Sequence, residues 1–180
     1  MPFNIQTEAI PVAMSGRDVC GRAKTGSGKT LAFGVPMMAR ITDAAEPMRP
    51  LGLVLVPTRE LAVQVAEVLH PVAEHAGMRV LPVYGGASRH HQVEEMAKGV
   101  EIVVATPLRL IDLIKSNEID LDDIQIVTLD EADRMADDGF TPQVEWILRH
   151  CVNRNQTMLF SATLDGDVGH LIRAYQTNPE

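Results

Sequence analysis

Residues Ala23, Lys24, Thr25, Gly26, Ser27, Gly28, Lys29 and Thr30 read AKTGSGKT, a run whose parts suit phosphate chemistry. Gly26 and Gly28 let backbone N–H groups turn inward around an anion, and a helix opening behind them adds its positive end. Lys29 is then set to reach β and γ phosphates, its charged end facing ligand rather than core. The Thr30 hydroxyl is placed to ligate a Mg²⁺ that bridges the same phosphates. Against the general G-x-x-x-x-G-K-[ST] pattern, Ala23 stands where the first glycine falls. A second run, IQIVTLDEAD at 124–133, carries an apolar stretch into two adjacent carboxylates. Asp130 fits a Mg²⁺ partner, held directly or through water, and Glu131 fits a group that orients or deprotonates an attacking water. Two like charges side by side are costly unless a cation compensates them, which a nucleotide-bound Mg²⁺ would do. The competing readings are a glycine-serine turn ahead of an ordinary helix and an acidic solvated turn.

Both runs need a scaffold that brings strand ends to one rim. Short apolar β-branched stretches predict strands at 18–20, 53–56, 79–83, 102–105, 124–129 and 157–160. Helical periodicity between them predicts helices at 7–14, 29–41, 60–75, 88–98, 108–115, 142–149 and 168–176. This alternation is the pattern of an α/β fold: a largely parallel central β-sheet with helices on both faces. AKTGSGKT then lies between a strand and a helix, the context its chemistry requires. In open sheets of this kind ligands bind at the carboxyl ends of strands, where Asp130 falls. The segment 42–50, with two prolines among charged and small residues, reads as an exposed connection.

Composition narrows the class further. The 180 residues carry 16 Lys and Arg against 24 Asp and Glu, a formal net charge of −8, so wholesale neutralisation of a polyanion is excluded and any nucleic-acid contact must be local. No apolar run approaches the ~18 residues of a membrane span, and the N-terminus lacks the basic and apolar regions of a secretory signal; no membrane partner is expected. Two cysteines, Cys20 and Cys151, are too few for a disulfide framework, and a reducing, cytoplasmic setting fits them. Cys20 reads as a buried strand residue and Cys151 as a helix-end one. Trp146 and Phe140 fall in helical pattern and read as core rather than stacking platforms.

In chain order, AKTGSGKT, PTRELA at 57–62, DEAD at 130–133 and SAT at 161–163 resemble the motifs of the DEAD-box ATP-dependent RNA helicases. The resemblance covers nearly the whole chain and implies a RecA-like P-loop domain over 1–180, with ATP and Mg²⁺ as cofactors and single-stranded or duplex RNA as partner. It also implies a second, C-terminal RecA-like lobe, absent from this chain, that would supply arginine fingers. An isolated first lobe should bind nucleotide and turn over slowly, since such fingers contribute about 10³ to 10⁵ in rate.

Further matches follow from the resemblance. Gln6 in NIQTEAIP is similar to the end of the family's adenine-reading motif, and its amide, donor and acceptor together, could pair with the adenine edge. By itself, Gln6 could equally be a polar residue flanking a helix start. The family's aromatic residue lies upstream of this chain's start. Pro57, Thr58 and Arg59 would set a hydroxyl, helix N–H groups and a guanidinium against RNA backbone; a well-capped turn is the plainer alternative. Gly85 and Gly86 resemble the family's GG pair. Thr106, Pro107 and Arg109 resemble its TPGR element, with Leu108 where the family has glycine. Ser161 and Thr163 resemble its coupling motif, in which hydroxyls bond the last acid of DEAD, here Asp133; an N-cap for the final helix is also compatible.

Two other functions stay open on these residues: a non-catalytic, nucleotide-dependent RNA-binding scaffold, and a DNA translocase. Lys29, Asp130 and Glu131 speak against a dead site. Gln6 together with DEAD favours RNA.

Overall fold

The computed structural model describes residues 4–24 and 28–180. Among them six strands alternate with helices: β1 (Val19–Arg22), β2 (Gly52–Leu55), β3 (Val80–Val83), β4 (Ile102–Ala105), β5 (Ile126–Asp130) and β6 (Gln156–Ser161). The helices are α1 (Asn4–Met14), α2 (Lys29–Arg40), α3 (Arg59–His75), α4 (Arg89–Ala97), α5 (Pro107–Lys115), α6 (Ala132–Asp137), α7 (Thr141–His150) and α8 (Gly166–Tyr175). The sheet runs β1-β6-β5-β2-β4-β3 and every pairing is parallel. All strand carboxyl ends therefore share one rim.

Alternate strand residues feed two cores, as a period of two requires. Leu53, Leu55, Val103, Val127 and Leu159 face side chains of α4 to α8, including Met96, Leu110, Ile147 and Leu171. Val54, Val104, Ile126, Met158 and Phe160 face α1, α2 and α3 through Ala9, Phe33, Met37, Val65 and Leu69. Because both faces are covered, the strands read as continuous apolar runs. Phe33 and Phe160 meet at 5.7 Å between ring centroids, fixing α2 over β6.

Edge strand β1 is held by polar side chains. Asp18 accepts from Thr157 N (2.7 Å) and Thr177 N (2.6 Å). Gln176 Nε2 donates to Val19 O and Thr157 O, and Gln156 Nε2 to Ala13 O and Arg17 O. The backbone of Glu180 covers the outer edge, accepting from Cys20 N and donating to Asp18 O. This clamp fixes the strand from which the AKTGSGKT loop departs.

The structure corrects four sequence expectations. Helix α1 begins at Asn4, so Gln6 lies inside a helix rather than beside its start. The segment after Glu131 forms α6, six residues long, too short to display a helical period. Cys20 is half-buried, because β1 is an edge strand; Cys151 is fully buried at the end of α7, where burial pushes its thiol up to about 12. Phe140 and Trp146 are only partly buried against the core, Phe140 just before α7 and Trp146 on it. The 42–50 connection is largely exposed, as expected, and Arg49 ties it down through Asp120 and Asp123, each at 2.8 Å.

Candidate functional site

The rim divides into two halves. At the first, the ends of β1, β6 and β5 carry Ala23, Ser161, Asp130 and Glu131. Ala23 is buried and its N–H donates to Ser161 O at 3.0 Å, joining the start of the AKTGSGKT loop to β6. Lys24 is exposed. Thr25, Gly26 and Ser27 lie outside the described residues. Gly28 caps α2 at φ +79°, a left-handed conformation that glycine adopts without steric cost. Gln6 Nε2 donates to Gly28 O at 3.0 Å, which ties α1 to the residue that opens α2. Thr30 is half-buried in the first turn of α2.

Lys29 departs from expectation. Its side chain is only 6% exposed, and Nζ stands 2.9 Å from Asp130 Oδ1 and 3.7 Å from Glu131 Oε1. The ammonium thus rests on the carboxylates, because α2 packs along β6 and β5 lies beside β6. Asp130 is fully buried at the last position of β5, and burial raises its carboxyl above the usual range while the Lys29 ammonium opposes the rise. Neither Asp130 oxygen, nor Lys29 Nζ, has a well-directed hydrogen bond to a described residue. Their contact is an ion pair with coordination capacity left over.

Glu131 follows at φ 53° and ψ 52°, a left-handed conformation unusual for a residue with a side chain. Strain of this kind costs of order 1–3 kcal/mol and persists where surrounding structure enforces it. The turn separates the two carboxylates. Asp130 stays inside, whereas Glu131 is partly exposed at the opening. Two residues on, Asp133 N donates to Ser161 Oγ at 3.1 Å, so Ser161 meets the main chain of Asp133 rather than its carboxylate. Thr163 is exposed on the loop beyond β6, and α8 is capped at Asp165; neither hydroxyl is that helix's N-cap.

The second half of the rim is formed by β2, β4 and β3, which are adjacent. Pro57, Arg59, Gly85, Thr106, Pro107, Leu108, Arg109, Asp112 and Phe140 line one open cleft of ≈ 440 Å³, so motifs from three separate chain segments converge. Thr58 caps α3, accepting from Leu61 N at 3.2 Å, the capped turn expected there. Arg59 is exposed on the first turn of α3. Its Nη1 comes within 3.1 Å of where a Cβ on Gly86 would sit, a flexible end that can shift, whereas the φ of +89° at Gly86 favours glycine. Arg109 Nη1 donates to Gln92 Oε1 (3.0 Å) and Ala87 O (3.3 Å), which ties α5 to the glycine loop. Gln92, buried on α4 and donating to Tyr84 O, was invisible in the sequence. Its only signal was a polar residue one helical turn before buried Met96. Phe140 enters this cleft unexpectedly, since α6 and its turn carry it to the rim.

Comparisons with known proteins show the family and the fold. The family model described as "DEAD/DEAH box helicase" matches residues 3–171. The chain is 47% identical to DEAD-box ATP-dependent RNA helicase 24 of Arabidopsis thaliana over 99% of its own length and 24% of that protein's. It superposes on a hypothetical ATP-dependent RNA helicase from Sulfolobus tokodaii with a TM-score of 0.90 at 38% identity, covering 99% of this chain and 51% of the other. For the yeast DEAD-box splicing factor Prp28 the TM-score is 0.93 at 33% identity, covering 99% and 44%. The chain thus spans about a quarter of the Arabidopsis relative and about half of these solved chains, and its fold is RecA-like. It belongs to the DEAD/DEAH box helicase family.

Proposed function

We propose that this chain is the ATP-binding lobe of a DEAD-box RNA helicase, coupling Mg²⁺-dependent ATP hydrolysis to RNA backbone binding and local unwinding when joined to a second RecA-like lobe. One observation carries the reading: the phosphate-binding and acidic motifs share one half of a single rim, the PTRELA, GG and TPLR motifs share the other, and β5 and β2 adjoin at the boundary. A change of nucleotide state at β5 is then one strand away from the polynucleotide cleft.

Within the first half, Lys29 would leave Asp130 for the β and γ phosphates. The donors suit Mg²⁺: Asp130 offers buried carboxylate oxygen without a hydrogen-bond partner, and Thr30 offers a hydroxyl. Among the described residues no cluster of three or more His, Cys, Asp or Glu is placed to hold a metal ion. When bound there, Mg²⁺ supplies charge neutralisation at the phosphates. Glu131, at the opening, would orient the attacking water. Ser161, bonded to the Asp133 main chain and through its own carbonyl to Ala23, links the loop to the acidic motif.

Gln6 would read the adenine edge while anchoring Gly28. Gln6→Ala should reduce the preference of ATP over GTP by about 1–3 kcal/mol and weaken both through the lost anchor. Competition titrations of the two nucleotides against ADP measure this. Equal affinity for ATP and GTP in the unchanged protein contradicts a base-reading role.

In the second half, Arg59 and Arg109 are the cationic cleft residues, so this lobe should neutralise about two phosphates, with a log–log salt slope of about −1.4 for single strands. Arg109→Ala should weaken binding equally across sequences and flatten the slope by about 0.7. Arg109→Lys keeps the charge but moves the donor away from the position of Nη1, which bonds both Gln92 and Ala87, so it separates phosphate contact from loop positioning. The test is RNA affinity against salt with a second lobe and a non-hydrolysable ATP analogue present; identical curves for the unchanged protein and Arg109→Ala would remove this cleft from the RNA path. A cytoplasmic setting remains our reading, resting on the two free thiols.

A further inference from the structure

The buried pair at the start of α2 forces a choice on Lys29. Asp130 has no exposed surface, and the Lys29 ammonium lies 2.9 Å from its Oδ1. Among the described residues no other cation pairs with Asp130, so Lys29 is the counter-charge on which that carboxylate depends. Glu131, at 3.7 Å, is the second anion on the same ammonium, but it is partly exposed and water screens it. Phe33, one turn along α2, packs on Phe160 of β6 and keeps the start of the helix over the acidic motif. One ammonium cannot neutralise both a buried carboxylate and incoming phosphates. A carboxylate left in the interior without its partner is strongly unfavourable. Lys29 therefore reaches phosphate without that loss only when another cation takes its place at Asp130.

We propose that Asp130 withholds Lys29 from phosphate until a divalent cation enters with the nucleotide, so that this residue makes the site select the metal-loaded nucleotide over the bare one. The inference rests on the reading of this half of the rim as the nucleotide site, and it gives Asp130 a second task beside that of metal partner. In the free protein the ammonium is committed. A bare nucleotide, inorganic phosphate or an RNA phosphate then meets a site whose buried cation is occupied, and its affinity is reduced by the fraction of molecules in which Lys29 stands free. With the divalent cation present, Asp130 exchanges Lys29 for the metal and the ammonium turns to the phosphates, two pairings in place of one. Thr30, a ligand to the metal alone, has no part in the exchange.

The test titrates ADP into the full-length protein, once with excess chelator and once with saturating Mg²⁺, for the unchanged protein, Asp130→Asn, Thr30→Ala and Glu131→Gln. Asp130→Asn should bind ADP roughly tenfold to a hundredfold more tightly without metal and less tightly with it, so the gain from Mg²⁺ collapses from both ends. Thr30→Ala should lose affinity only when metal is present. Glu131→Gln removes the screened charge and should raise metal-free affinity by no more than about fivefold. A rise equal to that of Asp130→Asn would reduce the effect to general relief of charge and overturn the proposal. Acetylation of Lys29, read by mass spectrometry against the exposed Lys24, gives a direct second measure: slow in the unchanged protein without ligand, faster in Asp130→Asn. Asparagine keeps the volume and needs no counter-charge; the thermal midpoint checks that it folds, and Asp130→Ser repeats the comparison if it does not. If Asp130→Asn leaves metal-free affinity unchanged or lowers it while Lys29→Ala still abolishes binding, Asp130 is a metal partner only, the exchange is wrong and the nucleotide site stands. If Lys29→Ala binds ADP as the unchanged protein does, both readings fall together.

Discussion

Glu131→Gln is expected to leave ATP binding intact while lowering hydrolysis by about 10²–10⁴-fold in the protein that carries both lobes. The two adjacent carboxylates of the acidic motif diverge at the left-handed backbone of Glu131. Asp130 is fully buried on β5 and paired with Lys29 at 2.9 Å, whereas the left-handed turn at Glu131 brings its carboxylate to the opening. Glutamine keeps the volume and can adopt the same backbone, so the fold and the Asp130 donor set are untouched. What is lost is the basic oxygen that orients or accepts from water. Single-turnover hydrolysis measured beside nucleotide affinity separates the two effects. A variant that turns over near the unchanged rate would exclude Glu131 as the water-orienting group.

Lys29→Ala should abolish measurable ATP and ADP affinity and should also lower stability. Because Nζ is buried against Asp130, its removal leaves a carboxylate in the interior without its cation. Breaking such a pair costs about 3–5 kcal/mol, less whatever Asp130 recovers by keeping a proton, toward which burial already biases it. A lowered thermal midpoint is therefore expected together with lost binding. Adding Asp130→Asn should return much of the stability and none of the affinity, because the amide needs no counter-charge and cannot replace the ammonium at phosphate. If Lys29→Ala still binds nucleotide, the phosphate role of this loop fails.

The contrast between these two residues marks what the chain discloses locally. AKTGSGKT and DEAD are short runs whose chemistry follows from spacing, and the strands that present them are legible because parallel strands buried on both faces are uninterrupted apolar stretches. That Lys29 would meet Asp130 was not legible. The contact depends on the order β1-β6-β5, in which β1 pairs with a segment more than a hundred residues away. The same holds for the second half of the rim. Pro57, Gly85 and Thr106 read as three strand ends on one rim, and the adjacency of β2, β4 and β3 is what makes them line one cleft. Arg109 reads as a phosphate contact, and the fold adds that Gln92 and the Ala87 carbonyl hold it. Gln6 reads as flanking a helix start, since the period of α1 is blurred by its small and polar residues; it lies inside α1 and bonds the Gly28 carbonyl. Helix α6 was missed because six residues are too few to carry a period, and with it went the placement of Phe140 in the cleft.

The central claim is that nucleotide chemistry on one half of the rim is coupled to RNA on the other. ATP turnover of the full-length protein with single-stranded RNA, single-stranded DNA of the same sequence, or no polymer tests it most directly. Turnover that rises with RNA, rises far less with DNA, and is lost in Glu131→Gln is the predicted result. Turnover indifferent to polymer, or raised equally by DNA, would contradict it.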